Sequence, residues 1–250
     1  MKKLGLLLIF MSSFFLEAQI INIENLRRVT DTTGWSGYTK LNIKLTKNTN
    51  KIFAFSNRIR VQHKKEKQLW LFINDLDFSE ANGNKLVNRH SQHVRYNYKF
   101  TPKVTWEAFI QSQADEISDI KFRGLLGSGL RFKLSKSEKY KFYVGCLLMF
   151  EHENSNSETS IIHNDWRNSS YFSFSLYPKK NIRIVSTSYF QPRIDLFSDY
   201  RISSQTTLAF KVLEKLSLTT TFTYLYDKYP VEGIVKEQYR LTNGLVYSFD

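Results

Sequence analysis

From residue 35 to residue 249 apolar side chains fall on alternate positions, and the alternation restarts after each turn-like break. Trp35, Thr39, Leu41, Ile43 and Leu45 share one parity, against Ser36, Lys40, Asn42 and Lys44. Phe53, Phe55, Ile59 and Val61 oppose Ser56, Arg58, Arg60 and Gln62. Val94, Tyr96, Tyr98 and Phe100 oppose His93, Arg95, Asn97 and Lys99. Ile120, Phe122, Leu126, Leu130, Phe132 and Leu134 oppose Lys121, Arg123, Arg131 and Lys133. Tyr239, Leu241, Leu245, Tyr247 and Phe249 oppose Gln238, Arg240 and Thr242. Successive side chains of a strand point to opposite faces, so each run has one apolar and one polar face.

The runs predict about twelve strands, over 35–46, 51–62, 68–78, 89–100, 104–114, 119–134, 139–152, 166–177, 181–191, 199–212, 216–227 and 235–249. Most have the length of roughly 9–11 residues that a tilted strand needs to cross a bilayer, whereas a globular strand averages about 5–6. The breaks alternate in size. Short turns are expected at 63–67, 101–103, 135–138, 178–180 and 213–215, and longer loops at 79–88, 153–165, 192–198 and 228–234. Short periplasmic turns and longer outer loops are the asymmetry of bacterial outer-membrane barrels. The expectation is therefore an all-β fold, a transmembrane antiparallel up-and-down β-barrel of about 12 strands. The alternative, a soluble sandwich or lipocalin-like barrel, would pack every apolar face into one core and turn the Arg-rich faces to water.

The ends of the chain fit export. Lys2 and Lys3 precede an apolar stretch over 4–16, with the small residue Ala18 before Gln19. That stretch is too short for a helix crossing ~30 Å of hydrocarbon, and it reads as a signal peptide over 1–18. A periplasmic lead-in over 19–34 and a barrel over 35–250 follow. The expected location is the outer membrane, with the bilayer and the outer-membrane assembly machinery as partners. The alternating aromatics of the last segment, 245–250, resemble the outer-membrane assembly signal, with Phe249 one position short of where that signal places its aromatic. Aromatics make up 15% of the chain, and the lone cysteine, Cys146, excludes an intramolecular disulfide. The formal charge is +13. An exported chain without a basic block does not suggest nucleic acid, so the anionic outer leaflet or small anions are the candidate partners of this charge.

Several segments carry a family resemblance: 88–100 (NRHSQHVRYNYKF), 107–113 (EAFIQSQ), 123–132 (RGLLGSGLRF), 189–202 (YFQPRIDLFSDYRI) and 226–233 (YDKYPVEG). Over roughly 86–249 the chain resembles a bacterial family of unassigned function, described as salt-induced outer-membrane proteins. The resemblance implies an outer-membrane barrel and supplies no catalytic residues.

The candidate chemistry lies on the polar parity. Arg58, Arg60, Arg95, Lys99, Arg123, Arg131, Lys133, Arg183, Arg201 and Arg240 would line the lumen, with Glu107, Asp119, Glu151 and Asp199 as acidic partners. One reading is a salt-bridged, side-chain-filled interior; the other is an anion-favouring pore. Ser91 and His93 share a strand face, the geometry a lipase-type hydrolase would use, but on the polar side and with serine first. A lipid hydrolase and a platform of outer loops are the alternative functions. His63, His90, His152 and His163 lack metal-ligand spacing, and no catalytic residue, metal or cofactor is expected. Cys146 is expected on the lipid-facing parity, and Gly124, Gly127 and Gly129 suit curvature or close backbone approach.

Overall fold

The structure is a computed structural model that describes residues 33–47, 51–137, 139–155, 162–214, 216–230 and 233–247. The expected signal peptide, most of the lead-in and Phe249 lie outside the described residues. Twelve strands follow one another: β1 (Gly34–Lys47), β2 (Lys51–Lys65), β3 (Gln68–Ala81), β4 (Asn84–Lys99), β5 (Val104–Asp115) and β6 (Ile120–Lys133). Then come β7 (Tyr140–Ser155), β8 (Ile162–Lys179), β9 (Ile182–Pro192), β10 (Tyr200–Leu213), β11 (Leu216–Asp227) and β12 (Glu237–Tyr247). Each strand pairs antiparallel with the next, so spatial order equals chain order from β1 to β12. Among the described residues no pairing joins β12 to β1. Strands of 11 to 18 residues are long enough to cross a bilayer at a tilt.

Three connections differ from the expectation. No loop occupies 79–88; β3 and β4 run on to a two-residue turn at Asn82 and Gly83, both at positive φ (52° and 82°). That backbone is what a tight hairpin turn requires. A register shift between Ser79 and Glu80 breaks the alternation there and hides the strand ends. Likewise β7 continues to Ser155 and β8 begins at Ile162, so Glu153 and Asp165 are strand residues. The turn expected over 63–67 shrinks to Glu66 and Lys67, with Glu66 at φ 47°.

The two faces of the sheet separate as the alternation demands. Trp70, Phe72, Ile110, Leu126, Leu130, Phe132, Leu148, Phe172, Phe222, Leu241 and Leu245 are exposed, while Arg60, Arg95, Arg123, Arg131, Arg167 and Arg201 are buried. The side chains of Tyr247 and Phe249 lie outside the described residues. Cys146 is on the exposed face. An apolar outside around a polar inside is stable in hydrocarbon and not in water.

The polar face is concave. Tyr171 on β8 hydrogen-bonds Glu107 on β5, and Arg201 on β10 hydrogen-bonds Glu151 on β7, each at 2.6 Å. Strands three apart are separated by ~14 Å in a flat sheet, so these contacts require strong curvature. Both β1 and β12 put their chain-terminal ends where the turns 66–67, 100–103, 134–139, 180–181 and 214–215 lie. This end is called the turn side below, and the opposite end the loop side.

Candidate functional site

The most buried ionic centre is Glu107, opposite Gly129 in the β5–β6 register and without solvent exposure. Arg131 Nη1 lies 2.7 Å from its Oε1, and Arg95 Nη1 lies 3.6 Å from its Oε2. The Tyr171 hydroxyl donates to Oε2 at 2.6 Å. Tyr171 can reach across because Gly145, its partner on β7, has no side chain; a Cβ there would collide with the Tyr171 ring. Gly129, opposite Glu107, serves a different contact: its Cβ would meet the backbone of Cys146 and Leu147, so its bare backbone lets β6 and β7 approach closely. Gly145 thus opens the path along which a tyrosine crosses the concave face.

Beside this centre Phe109, Leu125, Leu147, Met149, Tyr171 and Tyr189 form an apolar cluster on the inward side. Phe109 lies over Gly127, His93 stacks on Phe109 with centroids 5.4 Å apart, and the Arg95 guanidinium sits 5.8 Å from the same ring. A narrow cleft runs along the cluster between Arg95, Gln111, Ser169 and Gln191.

Towards the loop side the inward face becomes an arginine–carboxylate network. Arg123 pairs with Glu153, and Arg201 reaches Glu151 (2.6 Å), Glu153 (3.3 Å) and Asp227 (2.7 Å). Arg167 lies 3.3 Å from Asp199 and 3.7 Å from both Glu151 and Asp165. On the neighbouring wall Arg58 pairs with Asp75, and Arg89 pairs with Asp77 at 2.8 Å. Sharing each carboxylate among several cations offsets the desolvation that burial imposes. The network extends into the β9–β10 loop, where Arg193 bonds Asp195 at 2.6 Å and lies 3.5 Å from Asp199. The hydrogen bond raises the Arg193 pKa, and the same bond lowers that of Asp195. This loop pair is complete above the usual carboxylate range and opens as pH falls through the lowered Asp195 value.

The wall from β8 to β11 is different again. Thr187 donates to Ser173 at 2.8 Å, Thr207 meets Thr221 at 2.9 Å, and Gln205 donates to Thr223 at 3.3 Å. Short hydroxyl side chains fill the middle of this wall, between Arg183 at its turn-side end and Arg167 and Arg201 at its loop-side end.

Most of the expected site residues share one inward face. Arg60, Arg95, Arg123, Arg131, Arg201, Glu107, Glu151 and Asp199 are buried; Arg58, Arg183 and Arg240 are half-buried. Lys99 and Lys133 are the last residues of β4 and β6, at the turn-side rim. Asp119 is not in a strand: it follows a single 3-10 turn, Glu116–Ser118, at φ 56°, before β6 begins at Ile120. Aspartate tolerates this left-handed backbone, which is why a turn residue could be read as strand. Sequence reasoning missed Arg167, one of the most deeply buried side chains, and Asp75. Extending the β8 alternation from Tyr171 and Ser169 back to 167 would have found the first. On β3 the inward positions include Leu71 and Ile73, which masks the parity of Asp75. Ser91 and His93 both point inward and are buried, and His93 Nδ1 bonds the neutral Gln111 at 2.9 Å. The histidine is thus oriented by an amide, not by a carboxylate. Among the described residues no His, Cys, Asp or Glu group has a metal-binding arrangement.

A family model described as a protein of unknown function, DUF481, matches residues 28–249. The chain belongs to the DUF481 family. No curated protein matches it. The NanC porin superposes with a TM-score of 0.53 at 9% identity, covering 86% of this chain and 98% of that one. The TodX monoaromatic hydrocarbon channel, as a deltaS2 mutant, gives 0.46 at 10%, covering 88% and 82%. The beta domain of the Bordetella autotransporter BrkA gives 0.39 at 9%, covering 86% and 98%. The NanC likeness is one of fold: this DUF481 chain has the porin-like β-barrel architecture that the alternation predicts.

Within that architecture the inward charges of the DUF481 chain divide along the strands. On the turn side of the strand midpoints stand Arg60, Lys64, Arg95, Lys99, Arg131, Lys133, Lys141, Arg183 and Lys211. Glu107 is the one inward carboxylate there among the described residues. Arg58 stands at the midpoint of β2, and with Arg89, Arg123, Arg167, Arg201 and Arg240 on the loop side it faces Asp75, Asp77, Asp115, Glu151, Glu153, Asp165, Asp199 and Asp227.

Proposed function

We propose that the protein is an outer-membrane barrel of transport type whose inward face is a basic lumen that binds or passes small anionic solutes. The observation carrying this reading is the excess of cations over carboxylates on the inward parity, concentrated on the turn side. Cations without enough carboxylates to neutralise them need water or a bound anion, because an isolated buried charge costs too much free energy. The lipid bilayer meets the apolar face. Export by a cleaved signal peptide over 1–18 is supported by the basic start and Ala18, and N-terminal sequencing of membrane-extracted protein should begin at or beside Gln19. Alternating apolar residues towards the C-terminus support recognition by the outer-membrane assembly machinery.

The test is conductance of the purified protein in planar bilayers under a salt gradient. A current with anion preference is the expected result. A cation-selective current refutes the reading, and complete silence in well-inserted protein assigns the barrel a structural role instead.

A further inference from the structure

The division of inward charge between the two ends has a consequence for what the lumen takes up. We propose that the turn-side mouth is a capture site for small multivalent oxyanions of the phosphate and pyrophosphate class, and that the loop-side mouth is not. The proposal rests on the inward face being solute-facing, as above, and adds which end binds and what chemistry it selects.

Three observations carry it. First, Lys99 ends β4, Arg183 is the second residue of β9, and Lys211 lies near the end of β10. In a sheet ordered β1 to β12 Arg183 and Lys211 stand on neighbouring strands, Lys99 stands five strands from Arg183 on the same concave face, and Lys133 ends β6 between them. They are half-buried or exposed, so water and a solute reach them. Second, the inward carboxylate of this half, Glu107, is fully buried beneath Tyr171 and between Arg95 and Arg131. It belongs to the wall and not to the mouth. Third, the turns at the same end add lysine at 65, 67, 103, 136, 139, 180 and 215, against glutamate at 66, 138 and 214. A concavity lined by one sign of charge concentrates counter-ions, and it favours an anion with several charges, which engages cations on more than one wall together. The guanidinium of Arg183 also suits an oxyanion by its planar fork of donors.

The loop side has arginines too, but they are committed. Arg201 alone is held by Glu151, Glu153 and Asp227, and Arg167 by Asp199, Glu151 and Asp165. Inward carboxylates there outnumber the inward arginines of the strands, so an incoming oxyanion meets like charge.

The same chemistry is available from a free anion or from a phospholipid headgroup; the free anion is the proposed ligand, because Lys99, Arg183 and Lys211 lie on the inward parity. The experiment is calorimetric titration of the folded full chain in lipid-free nonionic micelles with inorganic pyrophosphate. Lys99→Gln/Arg183→Gln/Lys211→Gln should weaken binding by about tenfold per cation removed, the scale of one charge-assisted hydrogen bond. Arg58→Gln/Arg89→Gln on the loop side should leave it within about twofold, well inside that scale. Rim lysines and a half-buried arginine leave the core intact, and an unchanged heat-modified gel shift verifies folding of each variant. Equal weakening by both variants, no binding by the parent chain, or binding only to phosphatidylglycerol vesicles overturns the proposal. In bilayers, pyrophosphate added at the turn side should block any current and from the loop side should not. An anion-preferring current blocked equally from both sides overturns the sidedness alone and leaves the proposed function standing. A cation-selective current does the reverse, provided pyrophosphate still binds.

Discussion

The two ends of the inward face use arginine in opposite ways. On the loop side Arg167 and Arg201 each touch three carboxylates, and Glu151 and Glu153 are in turn shared. On the turn side one carboxylate, Glu107, holds both Arg95 and Arg131, and Lys99, Lys133, Arg183 and Lys211 stand at or near the rim. The first arrangement is redundant and the second depends on one residue. Redundancy suits a wall that must stay shut to water; a single buried carboxylate leaves the inward face of the other half with a net positive charge. The difference follows from register: the loop-side acids lie beside arginine on neighbouring strands, as with Arg123 and Glu153, whereas Lys99, Lys133 and Lys141 lie opposite Thr105, Tyr143 and Ser175.

The comparison breaks first at its anchors. Glu107→Ala should cost about 3–5 kcal/mol in urea unfolding from lipid, because two buried guanidinium groups lose their counter-charge. Glu151→Ala should cost less, about 1–3 kcal/mol, since its arginines keep other carboxylates. Equal losses would contradict the contrast between redundant and single-anchor halves. Next, Leu126→Arg should cost about 2–4 kcal/mol, the scale for a cation at the bilayer midplane, and Leu130→Arg less, since Leu130 is near the turn-side end of β6. The reverse order would move the dividing line between the halves. Gly145→Val should cost about 1–3 kcal/mol by displacing the Tyr171 ring. Tyr171→Phe in the same background should then add little, and a full additive loss would show that the tyrosine does not reach Glu107 through that gap. Smallest of all, Lys99→Gln and Lys211→Gln should shift stability by no more than about 0.5 kcal/mol, as for exposed surface substitutions. A larger loss would make these lysines part of the wall.

Sequence by itself determined the strands, their number and their two faces, because a period of two leaves one answer wherever Phe122, Leu126, Leu130 and Phe132 alternate with Arg123 and Arg131. It also determined that the charges would gather on one face. It left undetermined where strands end at irregularities, as at Asn82 and Gly83 or at Asp119, because a register shift or a left-handed residue breaks the period without ending the pairing. Which cation meets which carboxylate was decided only by tertiary structure. Tyr171 and Glu107, or Arg201 and Glu151, are far apart in the chain and three strands apart in the sheet, and only curvature brings them within 2.6 Å. Alternation sets the direction of a side chain, but its reach across a concave face depends on how sharply the sheet bends and on small residues such as Gly145 that clear the way.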